Sequence, residues 1–236
     1  MTILLTAWCV LGCCLVLLML VVQLRSLRSA PAPSDHPLPP VSILKPMRGI
    51  DPDLEANLDS YLHLDYPAYE LILGIQDPSD PVVGLARRFA AMAGRVRVRV
   101  VVGERRVGFN PKVNNLAGML SAASHDLLLV SDSNVAVRPD TVWSMVRRLQ
   151  QPGVGMVTSL IRGVGGRGLG GALETVQLNT FVMGGVATAS RLFGRVAAVG
   201  KSMLLHRDDL DLVGGLDNLG RYLAEDQVCG ELLEAA

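Results

Sequence analysis

Cysteine is scarce: Cys9, Cys13 and Cys14 fall in the first apolar run, and only Cys229 lies beyond it. No C-x-x-C pair occurs, so neither a zinc site nor a disulfide framework is indicated. An excess of charge of one sign is also missing. The 22 Lys+Arg balance 22 Asp+Glu, which argues against a nucleic-acid partner. The histidines (His36, His63, His125 and His206) share no metal-ligand spacing. There is no G-x-S-x-G elbow or other nucleophile signature, so covalent catalysis has no support. Gly194 to Ser202 comes near a P-loop, but its glycines are one residue too far apart and a strand-like run follows where a helix is required.

What the chain has in quantity is apolar surface. Half of its 236 residues are hydrophobic, and a mean hydropathy of +0.35 points to a membrane segment. Ile3 to Leu24 is almost wholly apolar and carries no charge, and a run of roughly twenty such residues spans a bilayer. Arg25 and Arg28 follow directly, which places the rest of the chain on the cytoplasmic side. A cleaved signal peptide is the rival reading, with small residues at Ser29-Ala30-Pro31-Ala32. The long apolar run and the lack of a basic leader favour an anchor. The basic residues are mostly arginine, which points to a GC-rich bacterial genome and so to a bacterial inner membrane. The expected organisation is an anchor over 1–28, a proline-rich linker over 29–40 and a catalytic domain over 41–236.

Past the linker, strands alternate with helices. Val41–Leu44, Tyr69–Ile75, Leu127–Val130 and Val154–Leu160 read as strands, the third as one buried on both faces. Arg95 to Val100 alternates strictly, as a half-buried outer strand does, with three arginines on one face. Helices are expected from Asp51-Pro52 (cap and first helical position, with a stripe of Leu54, Leu58 and Leu62), over Pro81–Met92, from Pro111 to about Ala123, over Pro139–Leu149, over Leu173–Val186 and from Tyr222 onward. A strand is expected over Val196–Leu205, interrupted at Gly200-Lys201-Ser202, and a short helical turn at Asp208-Asp209. Alternation of this kind predicts an α/β sheet.

In such sheets ligands gather beyond the carboxyl ends of the strands. Asp77 and Asp132 each follow a strand directly, and Glu225-Asp226 stands at a helix start. A carboxylate at such an edge suits a hard divalent cation carrying a phosphorylated substrate. Each has a plainer reading too, as a cap or turn former.

Order and flanking residues add a resemblance. Val41-Ser42-Ile43-Leu44-Lys45-Pro46, Leu64-Asp65-Tyr66-Pro67, Gln76-Asp77, Asn110-Pro111-Lys112-Val113-Asn114-Asn115-Leu116, Asp132-Ser133-Asn134 and Ala224-Glu225-Asp226 together resemble the ceramide glucosyltransferase group of inverting, membrane-bound glycosyltransferases. That resemblance implies a GT-A fold, a Rossmann-like sheet with helices on both faces that binds a nucleotide sugar. It implies donor contacts from Asp77 (near the uridine), Lys112, Lys45 and Asn115, and Mg²⁺ or Mn²⁺ on Asp132. Asp226 is then the base, with Asn134 and Glu225 in support. Asn134 stands where a second carboxylate of a D-x-D motif would be. The implied partners are a UDP-sugar, a membrane lipid acceptor and the bilayer. The implied reaction moves glucose to ceramide, with N-acetylglucosamine transfer to a hopanoid as the alternative.

The group also carries a Q/R-x-x-R-W motif after the third aspartate. This sequence stops ten residues beyond Asp226, and neither Trp8 nor Trp143 follows an arginine. The expectation is a chain incomplete at its C-terminus, with a non-catalytic, nucleotide-sugar-binding fragment as the further alternative.

Overall fold

A computed structural model describes residues 1–27, 36–166, 168–194 and 196–236. Arg28, the candidate cleavage residues 29–32 and the linker as far as 35 lie outside the described residues, as do Arg167 and Arg195. Two compact units are present: Met1–Ala30 with Leu160–Ala197, and Pro31–Ser159 with Ala198–Ala236. The first unit thus takes in residues 160–197, which the expected partition assigned to the catalytic domain.

In the first unit, α1 (Thr2–Leu27) is one continuous helix. Its stretch Thr2–Ser26 is long and apolar enough to cross a membrane. The same unit holds α6 (Gly168–Gln177), a π-helical turn (Leu178–Val182) and α7 (Met183–Phe193). α7 ends at Gly194, whose left-handed φ of 58° suits a residue without a Cβ.

The second unit is built on a sheet. In chain order its elements are β1 (Val41–Met47), α2 (Leu54–Asp59), β2 (Tyr69–Ile75), α3 (Val82–Met92), β3 (Arg97–Val102), α4 (Pro111–Leu120), β4 (Leu127–Ser131), α5 (Thr141–Leu149), β5 (Met156–Thr158), β6 (Ser202–His206), α8 (Arg207–Leu212), α9 (Gly215–Leu219) and α10 (Glu225–Ala235). Among the described residues the sheet has six strands in the order β3-β2-β1-β4-β6-β5. β1 to β4 are mutually parallel, and β6 runs antiparallel to both β4 and β5.

Helices cover both faces, which is why the strands read as unbroken apolar runs. Ile43, Leu71, Leu73, Leu129 and Leu204 point to one face, where Leu54 and Leu58 of α2, Phe89 of α3 and Val146 of α5 close over them. Leu44, Ile72, Val130 and Met203 point to the other, against Leu116 and Met119 of α4. Leu128 and Leu205 continue that second face under Leu210, Leu219 and Cys229. α4 lies so close to β2 that a Cβ on Gly74 would stand 2.2 Å from Met119 Sδ.

Several boundaries differ from the sequence reading. α2 starts at Leu54, with Asp53 at a left-handed φ of 62° before it, so Asp51-Pro52 belong to a preceding turn. The expected strand over Val196–Leu205 is regular only from Ser202, where pairing with Ser131 of β4 begins. Val154–Leu160 contracts to Met156–Thr158, because β6 is the neighbour it pairs with and that register covers three residues. The arginine-bearing strand is an outer strand, and Arg99 folds back on the buried Glu70 of β2 at 2.6 Å.

Candidate functional site

β1 joins β2 on one side, and the chain later crosses to β4 on the other side. This switch of direction leaves a crevice at the carboxyl ends of β1 and β4, where α/β sheets bind ligands. Pairing between the two strands stops at Leu44↔Val130. Lys45 and Pro46 therefore run on beside β2 alone, and Pro46 has no β4 partner to disappoint.

Asp132 follows β4 at this crevice, and two lysines converge on its carboxylate. Lys112 Nζ lies 3.1 Å from Oδ1, and Lys201 Nζ lies 3.1 Å from Oδ2. Lys112 also meets Glu225 Oε1 at 3.0 Å and donates to Gly200 O at 3.0 Å. Burial pulls the Lys112 ammonium down in pKa, but the carboxylates of Asp132 and Glu225 outweigh it and hold the pKa above its ordinary value. Lys112 thus stays charged.

The sequence places Lys112 there through the start of α4. Asn110 caps this helix, its Oδ1 accepting from the N–H groups of Lys112 and Val113, and Pro111 fills the first helical position. The Asn110 amide also donates to Glu225 Oε2 at 2.9 Å and to Tyr222 O at 2.8 Å. One side chain therefore fixes the first turns of both α4 and α10.

Asp226 sits beside Glu225 on α10. Its Oδ2 accepts from Gly200 N at 2.6 Å and its Oδ1 from Gln227 N at 2.9 Å. Both oxygens are oriented, and each keeps a lone pair. Gly200-Lys201 is the connector that sequence reasoning missed. Gly200 N holds Asp226, Gly200 O holds Lys112, and Lys201 Nζ holds Asp132 together with Asn134 Oδ1 at 3.0 Å. Lys201 O in turn accepts from Asp132 N at 3.2 Å and Ser131 Oγ at 3.2 Å. A Cβ on Gly200 would lie 2.6 Å from Asp226 Oδ2, so only glycine permits this approach. The available signal was the glycine-lysine break in an otherwise strand-like run.

Two residues expected as donor contacts, Lys45 and Asn115, lie beneath the crevice. Lys45 is fully buried and donates to Asp132 O at 2.8 Å and Val135 O at 3.3 Å, with its ammonium 3.9 Å from the centre of the Tyr61 ring. Burial pulls its pKa down to about 7, against the attraction of Asp132. The Asn115 amide is likewise buried, donating to Gly74 O at 2.9 Å and Met47 O at 3.5 Å. Both side chains are spent on backbone beneath the crevice: Lys45 on the loop after β4, Asn115 on the ends of β1 and β2.

Asp77 lies at the same sheet edge, after β2, two strands from β4, or about 10 Å across the sheet. Its exposed carboxylate accepts from the Ser79 hydroxyl at 2.7 Å and the Ser79 N–H at 2.8 Å. Those bonds, with Arg48 nearby, hold its pKa below the ordinary carboxylate value.

Among the described residues no cluster of three or more His, Cys, Asp or Glu side chains could hold a metal ion. Asp132 therefore stands in no such cluster, and Lys112 bridges it to the carboxylate of Glu225. That donor set fits a hard cation which keeps its waters and takes further oxygens from a diphosphate, and it does not fit a cation held by protein alone.

Glycosyl transferase family 21 matches this sequence over residues 4–236. The chain belongs to that family. Ceramide glucosyltransferase 3 of Caenorhabditis elegans is 32% identical over 200 residues, which is 84% of this chain and 43% of that protein. Ceramide glucosyltransferase of Komagataella phaffii is 39% identical over 109 residues, 43% of this chain and 21% of that one. The chain thus spans less than half the length of these relatives. The fold is shared with solved GT-A structures. The mannosyltransferase PcManGT from Pyrobaculum calidifontis, in complex with GDP-Man and Mn²⁺, superposes with a TM-score of 0.58 at 22% identity, over 85% of this chain and 55% of that one. S. aureus TarS 1-349 superposes at 0.56 and 14% identity, over 83% and 55%.

Proposed function

We propose that this family 21 chain forms the donor and base half of a glycosyltransferase that moves glucose from UDP-glucose to a ceramide hydroxyl with inversion. The observation that carries the reading is the Gly200-Lys201 connector, which holds the candidate base and the phosphate-facing charges in one frame. The glucose and ceramide assignments rest on the names of the relatives.

In this reading the diphosphate lies in the crevice with Lys112 and Lys201 beside its oxygens, and Asp77 meets the uridine side. Asp226 accepts the proton of the acceptor hydroxyl as that oxygen bonds to the anomeric carbon. The bond from that carbon to the diphosphate breaks with its electron pair going to UDP. The lysines offset the charge that develops on the leaving oxygens. Mg²⁺ or Mn²⁺ on Asp132, when bound with the diphosphate, would neutralise the same charge. Glu225 and Asn134 hold the two lysines, and α1 keeps the chain at the membrane where a lipid acceptor resides.

Calorimetry of UDP-glucose binding, with and without Mn²⁺, tests the donor site on the wild type and on Asp132→Asn. The expected result is metal-dependent binding that the variant loses, with Mn²⁺ alone binding neither protein tightly. Equal binding by the variant in Mn²⁺ would remove Asp132 from the donor site and sink the assignment.

A further inference from the structure

α6, the π-helical turn and α7 expose more apolar side chain than water favours. Leu169, Leu173, Val176, Phe181, Leu192 and Phe193 are all exposed, Leu169 at 79% and Phe193 at 71%. Between Gly168 and Phe193 only Glu174 and Arg191 carry charge. Leu169, Leu173 and Val176 follow helical spacing. The π-helical turn takes up one extra residue, which keeps Phe181, and then Leu192 a further eleven residues on, near the same stripe. A contiguous apolar stripe of that kind marks an interaction surface.

The same unit shows what the segment packs on. Gln23 of α1 donates to Asn179 O at 2.9 Å, and a Cβ on Gly184 would lie 3.3 Å from Met19 Cβ. The segment is therefore seated on the last third of a span-length helix. Met19 and Gln23 precede Arg25, the charge that follows the apolar run, by six and two residues. At 1.5 Å per residue that is within about 9 Å of the charge along the helix axis, the depth at which apolar helix faces lie in a headgroup boundary. Asn179 closes the arrangement by pairing its amide with both Gly163 N at 2.8 Å and Gly163 O at 3.0 Å.

We infer that residues 168–193 form a second membrane-contacting element, lying in the interface beside α1 with its apolar stripe among acyl chains. This extends the reading of α1 as an anchor and rests on it. The occupant is a lipid surface, because the stripe continues from a helix whose own exposed surface is lipid-like in composition.

The test uses four single-tryptophan forms of the full chain in phosphatidylcholine vesicles whose acyl chains carry bromine at carbons 6 and 7. One retains Trp8 (Trp143→Phe), one retains Trp143 (Trp8→Phe), and one carries both replacements with Phe181→Trp. A Leu173→Trp form, at another exposed position, guards against a local folding defect at Phe181. The expected result is at least twofold stronger quenching of the Phe181→Trp and Leu173→Trp reporters than of Trp143. Quenching of Trp8 without quenching of either reporter would overturn the inference and leave the anchor intact, as it would if a second copy covered the stripe. Quenched reporters with unquenched Trp8 would overturn the anchor, and with it the inference. Equal quenching at Trp143 would also overturn it.

Discussion

Lys45 holds its ammonium where solvent does not reach, on the carbonyls of Asp132 and Val135 and against the Tyr61 ring. Its effect on chemistry is through the loop it supports. Lys45→Met keeps the apolar stem and removes the grip on that loop, and misplacing a reacting group by about 1 Å can cost on the order of 100-fold. The expected outcome is a fall of that order in kcat/KM, read by sugar-transfer assays, with a lowered thermal midpoint in calorimetric melting. The carbonyls of Asp132 and Val135 lose their donor, and an unsatisfied buried acceptor costs about 1–3 kcal/mol. At Gly200 the argument is steric. Gly200→Ala forces Asp226 off its backbone N–H. We expect kcat to drop on the order of 100-fold while UDP-glucose affinity, measured by calorimetry, stays within twofold. Asp132 and Asp226 could be picked out from the sequence because a strand end and a helix start frame them, and Lys112 through the family resemblance. Lys201 could not, because only the return of β6 brings it to Asp132. The buried work of Lys45 was equally hidden, since alternation along β1 does not say what lies under the strand's end.

At the scale of elements, the opposite edge of the sheet has its own polar anchor. Glu70 of β2 is buried and accepts from Ser42 Oγ at 2.7 Å, Ser124 N at 2.7 Å and Arg99 at 2.6 Å. Burial pushes its pKa up, but the Ser124 N–H, the Ser42 hydroxyl and Arg99 together pull it below its ordinary value of 4.5. The folded state thus binds fewer protons than the unfolded state in acid. The network's contribution is complete above 4.5 and is lost as pH falls through the lower, folded value. Glu70→Gln should cost about 1–3 kcal/mol at neutral pH and flatten the loss of stability in acid, as read by urea titrations at pH 7 and pH 3.5. The parallel strands and their covering helices were readable from apolar runs and caps. The short β5 and the late start of β6 were not, because neighbours and register, more than local pattern, decide where an antiparallel strand becomes regular.

For the whole molecule, residues 160–197 group with α1, a partition that a linear reading of anchor, linker and domain does not yield. Deleting residues 1–30 leaves the stripe of residues 168–193 in place and also uncovers Gly184 and its neighbours, which α1 shields. The deleted protein is therefore expected to sediment, or to need detergent, in ultracentrifugation of cell extracts. Recovery as a detergent-free monomer would contradict that expectation. Apolar runs announce a span, but they do not say which later segment packs on it.

The antiparallel β6 has one more consequence. Ser159 N donates to Ser202 O at 3.2 Å, so the chain leaves the sheet and re-enters it at adjoining points. Everything between those points is a detour whose length the sheet does not register. Such a detour can lengthen, shorten or change its chemistry over evolutionary time while Lys201 still arrives opposite Asp132. The excursion can thus be rewritten while the frame of Gly200, Lys201 and Asp132 stays untouched.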